Sequence, residues 1–225
     1  MTNPQDRIPA GDYRQMQRAL PGVETLYHLL RAVAQTRLAD GDTVLIVGAG
    51  GGREIETLAA SPQRLNFVGV DPSAPMLALA QSYADKAGVS ERTQLIEGTI
   101  EAAPGAPLAG LATSLLVMHF LPDDGAKAAF LAAIRARLRP GAPLLLADLS
   151  PSDASEFAAL TPLFLAHAGL MGLDRERIAL GLDVMAGLPT VSPTRTIALL
   201  AGAGFGAVVP VFQGLWYRAW LATAV

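Results

Sequence analysis

Cysteine does not occur in the 225 residues, which removes disulfides, thiolate nucleophiles and cysteine metal sites together. Charge is scarce as well. Only 16% of residues are charged against 51% hydrophobic, a balance that argues against intrinsic disorder and for a sizeable buried core. The net charge of −3, with a pI near 5.6, gives no electrostatic reason to expect nucleic acid or an anionic membrane as partner. Histidine is rare too. His28, His119 and His167 stand apart without a recognisable carboxylate spacing, so no metal site is expected. The opening "MTNPQDRIPAGDYRQ" lacks a charged segment leading into an apolar core. The uncharged stretches are broken by Pro, Gly, His or Thr and suit buried elements better than membrane spans. A soluble cytoplasmic protein is the expectation. Repeats, linkers and low-complexity tracts are also missing, which leaves residues 1–225 as one domain.

What the chain does contain is an alternation. Residues 43–48, 65–71, 93–97, 112–119 and 143–149 are short apolar runs, and helical segments at 52–60, 73–87 and 124–138 lie between them. Continuous apolar strands are those buried on both faces of a parallel sheet. The fold class is therefore α/β, a doubly wound, mostly parallel sheet. A helical cap over residues 1–40, split at "LPG" (20–22), precedes a core at 41–150. Ser73 is placed to cap the 73–87 helix and Gly88 to stop it. Arg135, Arg137 and Arg139 are expected in a last helical turn, where cations complement the dipole. A helical insertion at 151–190 then breaks the rhythm. Residues 191–225 supply a last helix and an antiparallel hairpin about Gly214, with Pro210 marking an irregular or edge strand.

The first strand ends in "VLIVGAGGG", and Asp71 closes the second, "NFVGVD". Glycines at 48, 50, 51 and 52 permit positive φ and a close approach of ligand to backbone. Asp71, some twenty residues on, is placed to accept from two ribose hydroxyls. A tight turn and a helix cap are the bland explanation of the same residues. Order and spacing together favour a nucleoside cofactor. A dinucleotide fingerprint asks for glycine at the sixth position of G-x-G-x-x-G, and here that position is Arg53.

The G-x-G-x-G form resembles the first motif of class I S-adenosylmethionine-dependent methyltransferases. "FVGVDPSAPMLALA", "QLIEGTIEA", "LLVMHFLPD" and "LRPGAPLLLADL" are similar to that family's later strand motifs, and the closing hairpin to its antiparallel seventh strand. The resemblance implies a Rossmann-like methyltransferase fold with S-adenosyl-L-methionine as cofactor and S-adenosyl-L-homocysteine as product. It implies that Gly48, Ala49, Gly50 and Gly52 border the methionine end, that Asp71 holds the ribose, and that Pro72, Ser73 and Met76 lie near the adenine. Thr99 stands where the family carries an acidic residue, so the amide of Ile100 is the alternative adenine contact. The resemblance implies also that Met118 borders the cofactor, and that His119, following the fourth strand, lies where family members often place residues facing the reactive sulfonium. His119 could take a proton from the substrate or be a hydrogen-bonded histidine under a lid.

Within that superfamily, "YRQMQRALPGVETLYHLL" and "LLAGAGFGAVVPVFQG" resemble carboxy-S-adenosylmethionine synthases of tRNA modification. Those enzymes carry an aromatic where this chain has Val23, and a fourth-strand asparagine that "ATSLLVMHF" lacks. They also use an arginine of the late insert, the segment that holds Arg175 and Arg177. The expected function is in-line methyl transfer to a small-molecule acceptor, with the synthase-like activity as an alternative. Tyr13, Met16, Phe164, His167 and Met171 are the candidate substrate and lid residues. The nearly uncharged 157–173 helix could equally be buried at a lid or in a homodimer contact. An NAD(P)-dependent oxidoreductase is disfavoured by Arg53 and by the lack of a Tyr-x-x-x-Lys pair. A non-catalytic cofactor-binding relative is the remaining alternative.

Overall fold

The computed structural model describes residues 17–225. Its sheet is built from β1 (Thr43–Val47), β2 (Asn66–Asp71), β3 (Thr93–Glu97), β4 (Leu111–Leu115), β5 (Pro143–Leu149), β6 (Phe205–Gly214) and β7 (Tyr217–Ala224). Spatial order is β3-β2-β1-β4-β5-β7-β6. The first five strands are parallel, and β7 lies antiparallel between β5 and β6.

The continuous apolar runs have a direct cause. Val44 and Ile46 join one core cluster, with α1 (Val23–Arg37), α2 (Arg53–Ala59) and α3 (Ala74–Lys86). Leu45 and Val47 join a second on the opposite face, with α4 (Ala126–Arg135) and α7 (Pro193–Gly202). Successive strand residues point to opposite faces, so two covered faces write apolar residues at every position. A third cluster joins α5 (Ala154–Leu170) and α6 (Arg175–Ala186) to Leu149, Trp216 and Tyr217.

Several boundaries moved, each for a physical reason. β4 stops at Leu115 rather than running to residue 119. Leu116 takes φ 63° while its amide bonds Ala147 O at 2.7 Å, and Met118–Phe120 form a 3₁₀ turn. The run stays apolar because the turn is buried, not because it is strand. Ser73 occupies the cap position of α3 but makes no side-chain cap bond; its amide donates instead to Asp71 Oδ1 at 2.9 Å. Gly88, at φ 67°, does end that helix, with Gly88 N to Asp85 O at 3.0 Å and Val89 N to Ala84 O at 2.9 Å, the paired bonds of a Schellman stop. Of the three arginines only Arg135 lies in α4. Arg137 reaches back to Ala133 O at 2.9 Å, and Arg139 pairs with Asp42 at 2.9 Å. In the hairpin, β6 is the edge strand and its register shifts at Pro210. A proline that cannot donate to the ladder is tolerated there.

Candidate functional site

Strand order reverses between β1 and β4, since β2 follows β1 on one side and β5 follows β4 on the other. Ligands of open α/β sheets bind outside the carboxyl ends at such a point. The glycine loop leaves β1 here. Gly48 has φ 79°, and a Cβ on it would lie 2.2 Å from Val117 Cγ2, so the loop and the turn after β4 touch. Gly52, at φ 67°, would meet Ala80 Cα at 2.7 Å. Both glycines are thus demanded by packing as well as by backbone angle. Ala49 turns its methyl into the core, and its amide bonds Val70 O at 2.9 Å. Met76 Cε lies 3.1 Å from the Cβ position of Gly50.

Asp71 is buried at the end of β2. Its two carboxyl oxygens take one backbone amide each, from Gly50 and Ser73, both at 2.9 Å. Burial raises its pKa, and those two amides pull the other way. Among the described residues it has no cation. Each oxygen keeps a further acceptor site, which suits the two hydroxyls of a ribose. Pro72 is exposed beside it. Ile100 is buried, while Thr99 is exposed with its hydroxyl on Glu101.

Across the crevice, the 3₁₀ turn presents His119. Its Nδ1–H donates to Asp148 Oδ1, and the His119 amide reaches the same oxygen at 3.3 Å. Asp148 is 2% exposed at the end of β5. Lys127, fully buried on α4, donates to Met118 O at 2.7 Å and so pins the turn. Burial lowers the Lys127 pKa, and Asp148 and Asp123 oppose that fall. Met118 itself is wholly buried in the core on the α4 side, so its side chain packs and only its backbone borders the turn.

Charge also gathers at the start of α2. Arg53 bonds Gln17 Oε1 at 3.2 Å, pairs with Glu24, and lies 4.0 Å over the Tyr27 ring. Glu54 is only 5% exposed. Burial pushes its carboxyl up to about 7; Asp71 adds to the rise, while its own amide and Arg53 oppose it.

The candidate lid residues Phe164, His167 and Met171 lie on or beside α5. Phe164 is buried against Trp216, with ring centroids 5.6 Å apart, and Phe157 stacks on the same indole at 4.5 Å. His167 Nδ1 donates to Ala19 O at 3.1 Å, tying α5 to the N-terminal cap. Met171 is exposed at the end of α5. Packing and one hydrogen bond account for Phe164 and His167. Tyr13 and Met16 lie outside the described residues, as do the side chains of Arg175 and Arg177. Among the described residues no cluster of three or more metal-ligating side chains occurs, and no helix is long and apolar enough to cross a membrane.

Asp148, Lys127 and Glu54 escaped the sequence reading, yet each left a trace. Asp148 is the one polar residue in "PLLLADL". Lys127 begins the stripe continued by Phe130, Leu131 and Ile134, and Glu54 shares a buried face with Ile55 and Leu58. A charge at a core position is the signal.

Known proteins resemble this chain in sequence and in fold. A family model described as a methyltransferase domain matches residues 44–141. A carboxy-S-adenosyl-L-methionine synthase of Dichelobacter nodosus is 26% identical over 208 residues, 92% of this chain and 86% of that protein. A "possible exported protein" of Bordetella parapertussis shares the fold at TM-score 0.68 and 19% identity, over 91% of this chain and 70% of that one. So does the 1,6-didemethyltoxoflavin-N1-methyltransferase of Burkholderia thailandensis, solved with 1,6-didemethyltoxoflavin and S-adenosylhomocysteine. Its TM-score is 0.59 at 18% identity, over 89% of this chain and 78% of that one.

Proposed function

Given that residues 44–141 are a methyltransferase domain of the class I, S-adenosylmethionine-dependent kind, we propose that this enzyme methylates a proton-bearing oxygen or nitrogen of a small molecule. The observation that carries the proposal is the buried His119–Asp148 pair, set on the turn after β4 whose Val117 packs against Gly48 of the glycine loop. With Nδ1–H committed to Asp148, the Nε2 lone pair is the free basic atom of the ring. A base is of use only if the acceptor gives up a proton.

Bound S-adenosylmethionine supplies an electrophilic methyl group on a sulfonium. The chain's own part is alignment, desolvation and proton handling. Gly48–Gly52 give close backbone approach, and Asp71 offers acceptor sites to the ribose. Asp148 fixes the imidazole orientation and steadies the charge that develops as Nε2 takes the acceptor's proton. Lys127 holds the turn beneath. The bound acceptor of the toxoflavin methyltransferase is a small heterocycle by name, which supports the acceptor class.

The test is methyl transfer from labelled S-adenosylmethionine to a panel of phenols, hydroxy acids and heterocyclic amines. Wild type and His119→Gln would be assayed side by side. Acceptor-dependent formation of S-adenosylhomocysteine, reduced about 10²- to 10⁴-fold in the variant, is the expected result. Full turnover by His119→Gln would remove the base from the mechanism. A second activity, synthase-like, draws on the 26% identity to the Dichelobacter protein. It predicts a nucleoside product heavier than S-adenosylmethionine by one carboxyl group, visible by mass spectrometry when a carboxyl donor is supplied.

A further inference from the structure

We propose that the Glu54 carboxylate receives the α-ammonium group at the amino-acid end of the cofactor. The proposal rests on the S-adenosylmethionine assignment and adds to it a subsite for one charged group.

Glu54 is the second residue of α2, directly after the glycine loop. It is 5% exposed. Among the described residues its carboxyl takes no side-chain hydrogen bond; its own backbone amide is its one donor. The adjacent cation is spent elsewhere: Arg53 is committed to Glu24, to Gln17 and to the face of Tyr27. The other charge that Glu54 feels is Asp71, of the same sign. Two buried carboxyls therefore flank one glycine loop, and among the described residues no cation is bonded to either. Burying a carboxylate without a counter-charge is costly, and groups of a bound ligand would offset that cost.

Their chemistry says what those partners are. Asp71 is already bonded to two amides and has neutral acceptor capacity left, which fits a diol. Glu54 has only its own amide as donor among the described residues and fits a cation. A nucleoside amino acid carries both groups, a ribose diol towards one end and a primary ammonium at the other, with the loop from Gly48 to Gly52 between them. The carboxylate of the same amino acid would be repelled by Glu54, so the pair also fixes which way round the amino-acid end is held.

The experiment is calorimetric titration with two thioether nucleosides: S-adenosylhomocysteine and its desamino counterpart, which ends in a butanoate and lacks the ammonium. Wild type should prefer the amino form by about tenfold or more, the scale of a charge-assisted hydrogen bond. Glu54→Gln should shrink that preference to about twofold by weakening S-adenosylhomocysteine alone. The wild-type comparison needs no variant, so it stands even if Glu54→Gln folds poorly. Equal affinity of wild type for the two nucleosides would overturn the subsite, and so would an equal loss for both in the variant. Binding of neither nucleoside by folded wild type would overturn the cofactor assignment along with it.

Discussion

Replacing Glu54 with Gln should make the folded protein more stable at alkaline pH, and the gain can be worked from its surroundings. The carboxyl is pushed from an ordinary 4.5 up to about 7, chiefly by burial. Below pH 4.5 it is protonated in both folded and unfolded chains and contributes no pH dependence. Between about 4.5 and 7 the folded state holds the proton that the unfolded state releases, so stability falls as pH rises through that window and levels off above it. A difference of about 2.5 pH units corresponds to about 3 kcal/mol. Glutamine keeps the shape and never ionises. Urea denaturation of wild type and Glu54→Gln across pH 5 to 8.5 measures the difference directly. The variant should gain about 3 kcal/mol relative to wild type between the ends of that range. Asp71 is also raised, but it is present in both proteins and largely cancels. A stability difference that stays constant with pH would refute the reasoning, because it would mean that the buried carboxyl is not the source.

Asp71→Ala should weaken S-adenosylhomocysteine binding by about tenfold to a hundredfold, or about 1.4–2.8 kcal/mol, by calorimetry; it also orphans the amides of Gly50 and Ser73, so folding is checked by circular dichroism. Asp148→Asn should lower kcat more than it changes KM, since Asp148 acts through the orientation of His119. A variant with unchanged kcat would leave Asp148 as packing only. Gly52→Ala should cost about 1–3 kcal/mol in thermal or urea unfolding, because the new methyl would sit 2.7 Å from Ala80 Cα at a φ of 67°.

Much of the fold was written locally. Val44 to Val47 read as a buried parallel strand because residues on each of its faces meet a core cluster. The glycine loop and Asp71 were legible for a related reason: a left-handed turn and a lone carboxylate at a strand end leave marks within a few residues. The end of β4 was not, because a buried turn and a buried strand share the same composition. Leu116, Val117 and Met118 are apolar for their surroundings, not for their backbone.

The remaining pieces belong to tertiary structure. His119 was visible as a histidine with two readings, but its partner Asp148 lies 29 residues away and meets it only because β5 pairs with β4. Lys127 reaches the same turn from α4, through Met118 O. The 157–173 segment is nearly uncharged all round, so its pattern names no inward face. Only packing against Trp216 decided that Phe157 and Phe164 point to the hairpin. Sequence by itself determined the alternation, the glycine loop and Asp71, since these follow from periodicity and from backbone angles. Which charges share a buried space was decided by strand order, a property of contacts between residues distant along the chain.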